Sequence, residues 1–210
     1  MKKLYALSLL ALSVSPTWAL TTVNYNTTGS ALSCNGVAGC TQNSSTSVTV
    51  GGLTLTYNVG SGSGVAAPSF INFGNLVTTG TSSGVTLTGL QLNLNVNSTP
   101  PGGSGIAAIG NIGGMIGTNF STAQISFASA TTTSIFGTLP GVVIGSGSTG
   151  ADYQVVQTLL ALQAPTIGNP IGQTSIQGAV SAVPEASTGL MMVLGVAGLG
   201  GAARLRKRAA

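Results

Sequence analysis

The sequence predicts an all-β domain, and three observations lead to that prediction. Glycine is abundant, 32 of 210 residues, and together with Ser, Asn and Pro it marks frequent turns. Apolar and polar residues alternate in short runs, which is the two-residue period of strands. No long stretch of the central body repeats apolar residues at helical spacing. We therefore expect a single β-sandwich or jelly-roll-like domain of about eight short strands over residues 20–182.

Charge is nearly absent from this body. The chain has 6 Lys and Arg, 2 Asp and Glu and no His, so that 4% of its residues are charged where roughly 25% is usual. The basic residues all lie at the two ends: Lys2, Lys3, Arg204, Arg206, Lys207 and Arg208. Because a nucleic-acid-binding protein needs Lys and Arg to neutralise phosphates, we do not expect the body to bind nucleic acid.

The first segment, residues 1–19, has the layout of a secretory signal peptide. Lys2 and Lys3 precede an apolar stretch over residues 4–14, Pro16 ends that stretch, and Ala19 closes a small-residue cleavage site. A transmembrane anchor is the alternative, but the apolar run is too short to span the hydrocarbon core. We expect cleavage near Ala19 and export of the chain.

The last segment, residues 183–208, has three parts in a fixed order. A Pro-Glu pair comes first, an apolar run over residues 189–203 follows, and the cluster of Arg204, Arg206, Lys207 and Arg208 ends the segment. Counted from Ala186, the run predicts a short C-terminal transmembrane helix, with the basic cluster as a membrane stop on the cytoplasmic side.

This layout resembles the PEP-CTERM protein-sorting domain, a tail that some classifications name after the C-terminus of ice-binding proteins. The resemblance rests on Val183, Pro184 and Glu185, with Ala186 in place of the family's second Pro. It implies a Gram-negative host in which a membrane-embedded exosortase recognises the tail, removes it and passes the protein to the envelope or exopolysaccharide. An ordinary C-terminal membrane anchor is the alternative, and in both cases the body lies on the outer side of the inner membrane.

Within the body, the clearest turn is Gly51-Gly52, because paired glycines accommodate the positive φ angles of a tight hairpin. The apolar positions of its two alternating arms are Val48, Val50, Leu53, Leu55, Tyr57 and Val59. Residues 70–73 predict another short strand.

A further strand is predicted over residues 85–96, where the apolar side changes parity at Gly89 as it does at a β-bulge. The residues expected to face the core after the change are Leu90, Leu92, Leu94 and Val96, and those expected to face water are Asn93, Asn95 and Asn97. Pro100 and Pro101 end this strand, and the Gly-rich stretch that follows, through Gly117, carries no strand prediction.

Later strands are expected near residues 123–128, 134–139 and 176–180. Residues 153–163 fit either an amphipathic helix or a strand, and the all-β context and Pro165 favour the strand.

Cys34 and Cys40 are the two cysteines of the chain. In an exported protein, two thiols this close in sequence are most often paired. A structural zinc site needs four ligands, and the chain has no His to supply them. We predict a structural disulfide, no metal site and no cofactor.

The composition argues against an enzyme. The body lacks His, Lys and Arg, and its one carboxylate is Asp152, because Glu185 belongs to the sorting motif. A standard glycosidase needs two carboxylates that flank the scissile bond. Asp152 follows a Ser-Thr-Gly-Ala sequence and is expected in a turn, so we predict no catalytic residue.

Two functions from different classes fit these features. The first is a non-catalytic structural protein of the cell surface or exopolysaccharide matrix, processed by an exosortase that meets it at the membrane. The second is a surface module that binds carbohydrate or acts as an adhesin. Ice binding is the weaker version of this second function. Sugar sites usually present exposed aromatic rings, and the few aromatics of this body are expected to be needed in the core, which favours the first function.

Overall fold

The computed structural model describes residues 22–99, 103–127, 130–134, 137–146, 151–157 and 159–182. These residues belong to one compact unit, Thr21–Val183. They form strands and no helix, which confirms the predicted all-β class. No membrane-crossing helix is present within these ranges, and the segments predicted at residues 1–19 and 183–208 lie outside them.

The structure contains eighteen strands in the described ranges rather than about eight. The first nine are β1 (Thr22–Asn26), β2 (Ala31–Ser33), β3 (Cys40–Ser44), β4 (Ser47–Val50), β5 (Leu53–Val59), β6 (Ser61–Ala66), β7 (Ser69–Gly80), β8 (Val85–Thr86) and β9 (Leu90–Thr99). The others are β10 (Gly103–Gly113), β11 (Met115–Gly117), β12 (Phe120–Ser121), β13 (Gln124–Phe127), β14 (Ala130–Ser134), β15 (Gly137–Ser146), β16 (Ala151–Val155), β17 (Leu159–Ala161) and β18 (Ile171–Ala182).

All the strand pairs are antiparallel, and they build three sheets. The first large sheet has the order β17-β13-β10-β9-β1-β6, with β2 also paired to β9. The second has the order β14-β15-β16-β18-β7-β5-β4-β3, and a small sheet has the order β12-β11-β8. Strands that are distant in sequence therefore lie side by side, as β7 and β18 do.

Buried side chains from both large sheets form one hydrophobic core. The seven-stranded sheet contributes Val23, Leu90, Leu92, Leu94, Val96 and Ile125, and the eight-stranded sheet contributes Leu53, Leu55, Tyr57, Phe73, Leu76 and Ile176. Hydroxyl groups join the two sheets across this core: the Tyr25 hydroxyl donates to the Asn72 carbonyl at 3.0 Å, and the Ser98 and Tyr153 hydroxyls are 2.6 Å apart. The core thus includes polar links as well as apolar packing.

The predicted hairpin at Gly51-Gly52 is confirmed. Val50 pairs with Leu53 across the two-residue turn, and the two glycines have φ angles of 51° and 85°. The alternation is also confirmed except at its end, where Val59 is 54% exposed.

The prediction of a bulge at Gly89 is wrong. The chain leaves β8 in the small sheet, turns at Gly89 with a φ of 108°, and enters β9 in the seven-stranded sheet. The change of parity marks a change of sheet, because each of the two strands has its own inward side. The three asparagines of β9 lie on the side away from the core, as the alternation predicts, but they are half-buried rather than fully exposed. Next to them, Ser30 exchanges hydrogen bonds with the backbone of Asn95 at 2.9 and 3.2 Å.

The Gly-rich stretch after Pro101 forms a strand that the sequence analysis missed. β10 pairs with β9 on one side and β13 on the other. At Gly110 a Cβ atom would lie 2.8 Å from the Phe127 ring. This glycine is thus required by close packing inside a sheet, whereas glycine in sequence more often indicates a turn.

Two of the later strands are confirmed: β13 lies within the range 123–128, and the range 176–180 belongs to β18, which is longer than expected. The strand predicted at 134–139 is instead the end of β14 and the beginning of β15. The described residues of the range 153–163 contain no helix, and they include the end of β16 in one large sheet and all of β17 in the other. Asp152 lies within β16, opposite Ser146 and Ser181, and not in a turn.

Cys34 and Cys40 form a disulfide with a Cα–Cα distance of 5.8 Å. The bond closes the loop by which the chain passes from β2 in one large sheet to β3 in the other.

We expect the double variant Cys34→Ser, Cys40→Ser to unfold at a lower denaturant concentration. Its free energy of unfolding should fall by about 2 kcal/mol, because the open loop has more conformational entropy in the unfolded chain. Urea unfolding checks this value, and an unchanged midpoint would contradict it.

Candidate functional site

The outer side of the eight-stranded sheet carries a surface of hydroxyl groups on β3, β4, β5 and β7. We call it the hydroxyl face, and its residues are Thr41, Ser47, Thr49, Thr54, Thr56 and Thr79. Alternation puts these side chains outward, because their neighbours Val48, Leu53 and Leu55 are fully buried.

The hydroxyl face is ordered across strands, since its threonines pair with one another. Thr41 lies opposite Thr49, Thr49 opposite Thr54, and Thr54 opposite Thr79. The Thr49 and Thr54 hydroxyls are 2.8 Å apart, and the Asn43 amide donates to the Thr49 hydroxyl at 2.7 Å. This row crosses four strands at a spacing of about 4.8 Å. The sequence shows only the Thr-x-Thr of β5, so the row could not be recognised before the strands were paired.

The outer side of the seven-stranded sheet carries a groove of about 580 Å³. We call it the amide groove, and the residues used below are Gln91, Asn111, Gln124, Thr88, Ser126 and Leu159. Asn111 on β10 lies between Gln91 on β9 and Ser126 on β13, and Ser126 lies opposite Leu159 on β17. The Gln91 amide donates to Asn111 Oδ1 at 3.1 Å.

The groove exists because glycine occupies an outward position. Gly113 follows Asn111 on the same side of β10 and pairs with Gln124. A Cβ atom at Gly113 would meet nothing closer than the Thr88 hydroxyl at 3.9 Å. The missing side chain leaves open space between polar neighbours.

The interior tyrosines contribute no charge to these surfaces. Burial raises the pKa of Tyr25, Tyr57 and Tyr153 above the usual value, so all three are neutral at physiological pH. Among the described aromatics, Tyr25, Tyr57, Phe73, Phe127 and Tyr153 are buried, as the sequence analysis expected for most of them. The two exceptions are Phe70, which is 63% exposed, and Phe120, which is 39% exposed and lies against Gly117.

Of the residues that the sequence singled out, the structure describes Cys34 and Cys40, which are paired with each other, and Asp152, which is in β16. The sorting motif at 183–186 and the basic cluster at 204–208 lie outside the described residues. Sequence reasoning missed the amide groove, for which the only local signal is the outward parity of its amide side chains.

No family model matches this chain, and neither the curated proteins nor the solved structures include a match.

Proposed function

We propose that this chain is a non-catalytic structural protein of the cell surface or exopolysaccharide matrix of a Gram-negative bacterium. Its N-terminal segment directs export, and an exosortase removes its PEP-CTERM-like tail after a short membrane-bound stage. The mature body, a sandwich of two sheets in this proposal, is then held in the hydrated matrix by many uncharged hydrogen bonds.

The observation that carries this proposal is the hydroxyl face. Its hydroxyls are donors and acceptors at once, and polysaccharide hydroxyls have the same property. Between Tyr5 and Ala203 the chain has two charged residues, Asp152 and Glu185, so attachment to the matrix has little charge to depend on.

We expect the processed protein to stay with cells or isolated exopolysaccharide through a roughly tenfold rise in NaCl concentration, because salt screens charges but does not compete with hydrogen bonds. Quantitative immunoblotting of wash and pellet measures the retained fraction. Release of most of the protein by salt alone would sink the proposal.

The hydroxyl face itself is tested by the double variant Thr49→Val, Thr54→Val, which keeps side-chain shape and removes both hydroxyls. Loss of two hydrogen-bonding groups at about 1 kcal/mol each should weaken attachment by roughly 30-fold and so lower the retained fraction. Thr28→Val is the matched control, because Thr28 is exposed but lies outside the hydroxyl face. Equal retention of all three proteins would argue against this surface.

Processing is tested separately by the mass of the exported form. The proposal requires a chain that begins near Leu20 and lacks the basic cluster, and Pro184→Ala with Glu185→Ala should leave the protein in the inner membrane. A mature surface form that still ends in Arg204-Leu205-Arg206-Lys207-Arg208 would favour a plain anchor.

The second candidate function is specific carbohydrate binding, as by an adhesin-like module, and the amide groove favours it. An ice-binding role is the weaker variant of this candidate. Its only support is the row of threonines across four strands, and thermal hysteresis of the purified protein would test it.

A further inference from the structure

We propose that the amide groove is a binding site for a neutral hexopyranose oligosaccharide. The inference rests on the proposed association with polysaccharide and adds the place and the ligand class. It concerns the seven-stranded sheet, whereas the proposed attachment uses the hydroxyl face of the other sheet.

The lining chemistry of the groove matches sugar hydroxyls. Each primary amide of Gln91, Asn111 and Gln124 offers two N–H donors and a carbonyl acceptor, and Thr88 and Ser126 add hydroxyls. Most small-molecule pockets are lined mainly by apolar side chains around a few polar groups. Here most of the lining side chains are polar, and their amides and hydroxyls lie beside apolar carbon. This combination suits a pyranose ring, which presents both hydroxyl groups and C–H faces.

The side chains already form an ordered row. The Gln91–Asn111 hydrogen bond of 3.1 Å holds the two amides in a fixed relative position. It uses one N–H group of Gln91 and one lone pair of Asn111 Oδ1, and the other donors and acceptors of the two amides take no part in it. The row from Gln91 to Leu159 crosses four strands, a length of about 14 Å. That length allows contacts with more than one sugar ring.

One apolar side chain completes the match. Leu159 is 57% exposed at the end of the row, where it can cover the C–H face of a pyranose ring. The groove also explains Gly113, since any side chain at this outward position would fill the space between Thr88 and Gln124.

Absence of charge in the groove selects a neutral ligand. None of the lining residues is ionisable, so an acidic oligosaccharide would lose hydration of its carboxylates without gaining an ion pair. A peptide would need pockets for its side chains, and the groove has two apolar side chains, of which Ile112 is buried and only Leu159 is exposed. These features favour neutral sugar.

The test is titration of the isotope-labelled exported chain with hexasaccharides, followed by NMR of the side-chain amides. The neutral probes are cellohexaose, laminarihexaose and β-1,4-mannohexaose, and the comparison probes are hexagalacturonate and a neutral Ser-Gln hexapeptide. We expect at least one neutral probe to bind with a dissociation constant below about 1 mM and to shift the amide signals of Gln91, Asn111 and Gln124.

Two variants localise the binding. Asn111→Ala with Gln124→Ala should weaken it more than tenfold, because each lost hydrogen-bonding partner contributes about fivefold. Gln177→Ala, an exposed amide on β18 in the other large sheet, is the matched control and should bind as the parent does.

Gly113→Val tests the groove without removing any polar group. It should abolish binding while the melting temperature stays equal or rises, because the site is open and its φ angle is not in the left-handed region. Gly168→Val is its control, since nothing lies within 4 Å of a Cβ there.

Three results would overturn the inference: no binding of any neutral probe, tighter binding of the acidic or peptide probe, or equal loss in the variants and their controls. Each can occur while the salt-resistant retention persists, in which case the proposed function stands without this site. Loss of salt-resistant retention with intact oligosaccharide binding would mean that the groove binds sugar although the proposed attachment to the matrix is wrong.

Discussion

Gly178→Ala is expected to lower the free energy of unfolding by about 3 kcal/mol, at the upper end for overpacking a core. The new Cβ atom would lie 2.2 Å from the Phe73 ring on the neighbouring strand. The ring cannot move aside easily, because it is fully buried and packs edge-on against Tyr25 with centroids 6.2 Å apart. Urea unfolding measures the loss.

Two further variants separate this clash from a general effect of replacing glycine. Gly168→Ala should change stability little, because its surroundings are open. Phe73→Leu should destabilise the parent by leaving a cavity but should recover part of the stability of Gly178→Ala. Additive effects of the two substitutions would mean that ring and methyl do not collide.

Thr27→Val is expected to cost about 2 to 3 kcal/mol, although the two side chains have nearly the same shape. Thr27 is fully buried. Its hydroxyl accepts from the Gly60 N–H and lies 2.8 Å from the Tyr57 hydroxyl, which in turn donates to the Phe73 carbonyl. Valine would leave the Gly60 N–H without this partner, and an unsatisfied buried donor costs about 1 to 3 kcal/mol.

The matched control is Thr28→Val at the next position, where the side chain is exposed and the expected change is within about 0.5 kcal/mol. Tyr57→Phe should give a smaller loss than Thr27→Val, because it removes one hydroxyl and leaves the Gly60 bond in place. If Thr27→Val were as stable as its control, the hydrogen bonds that join Thr27, Tyr57 and Gly60 would contribute nothing to the free energy of unfolding.

Much of the local structure follows from the sequence alone. The all-β class, the Gly51-Gly52 hairpin, the inward side of β5 and β9, and the cysteine pair are each set by residues close together in the chain. The alternation of a strand repeats every two residues, and this tight turn is marked by two adjacent glycines. A few consecutive residues are therefore enough to predict each feature.

The roles of two glycines depend on the tertiary structure and cannot be inferred from a short stretch of sequence. Gly89 marks a passage between sheets rather than a bulge, and Gly110 belongs to a strand because the Phe127 ring packs over it. Gly110 does not differ in its local sequence from a glycine in a turn. Only the Phe127 side chain, which contacts it from the neighbouring strand, shows its role.

The two candidate surfaces likewise depend partly on the composition of the chain and partly on how its strands pair. Sequence alone determined that the body is nearly uncharged and rich in hydroxyls and amides, and therefore which chemistry its surface can offer. Only the pairing and register of the strands placed Thr79 beside Thr54 and set Asn111 between Gln91 and Ser126. The physical reason is that strand register is fixed by long-range core packing, whereas composition and alternation are local.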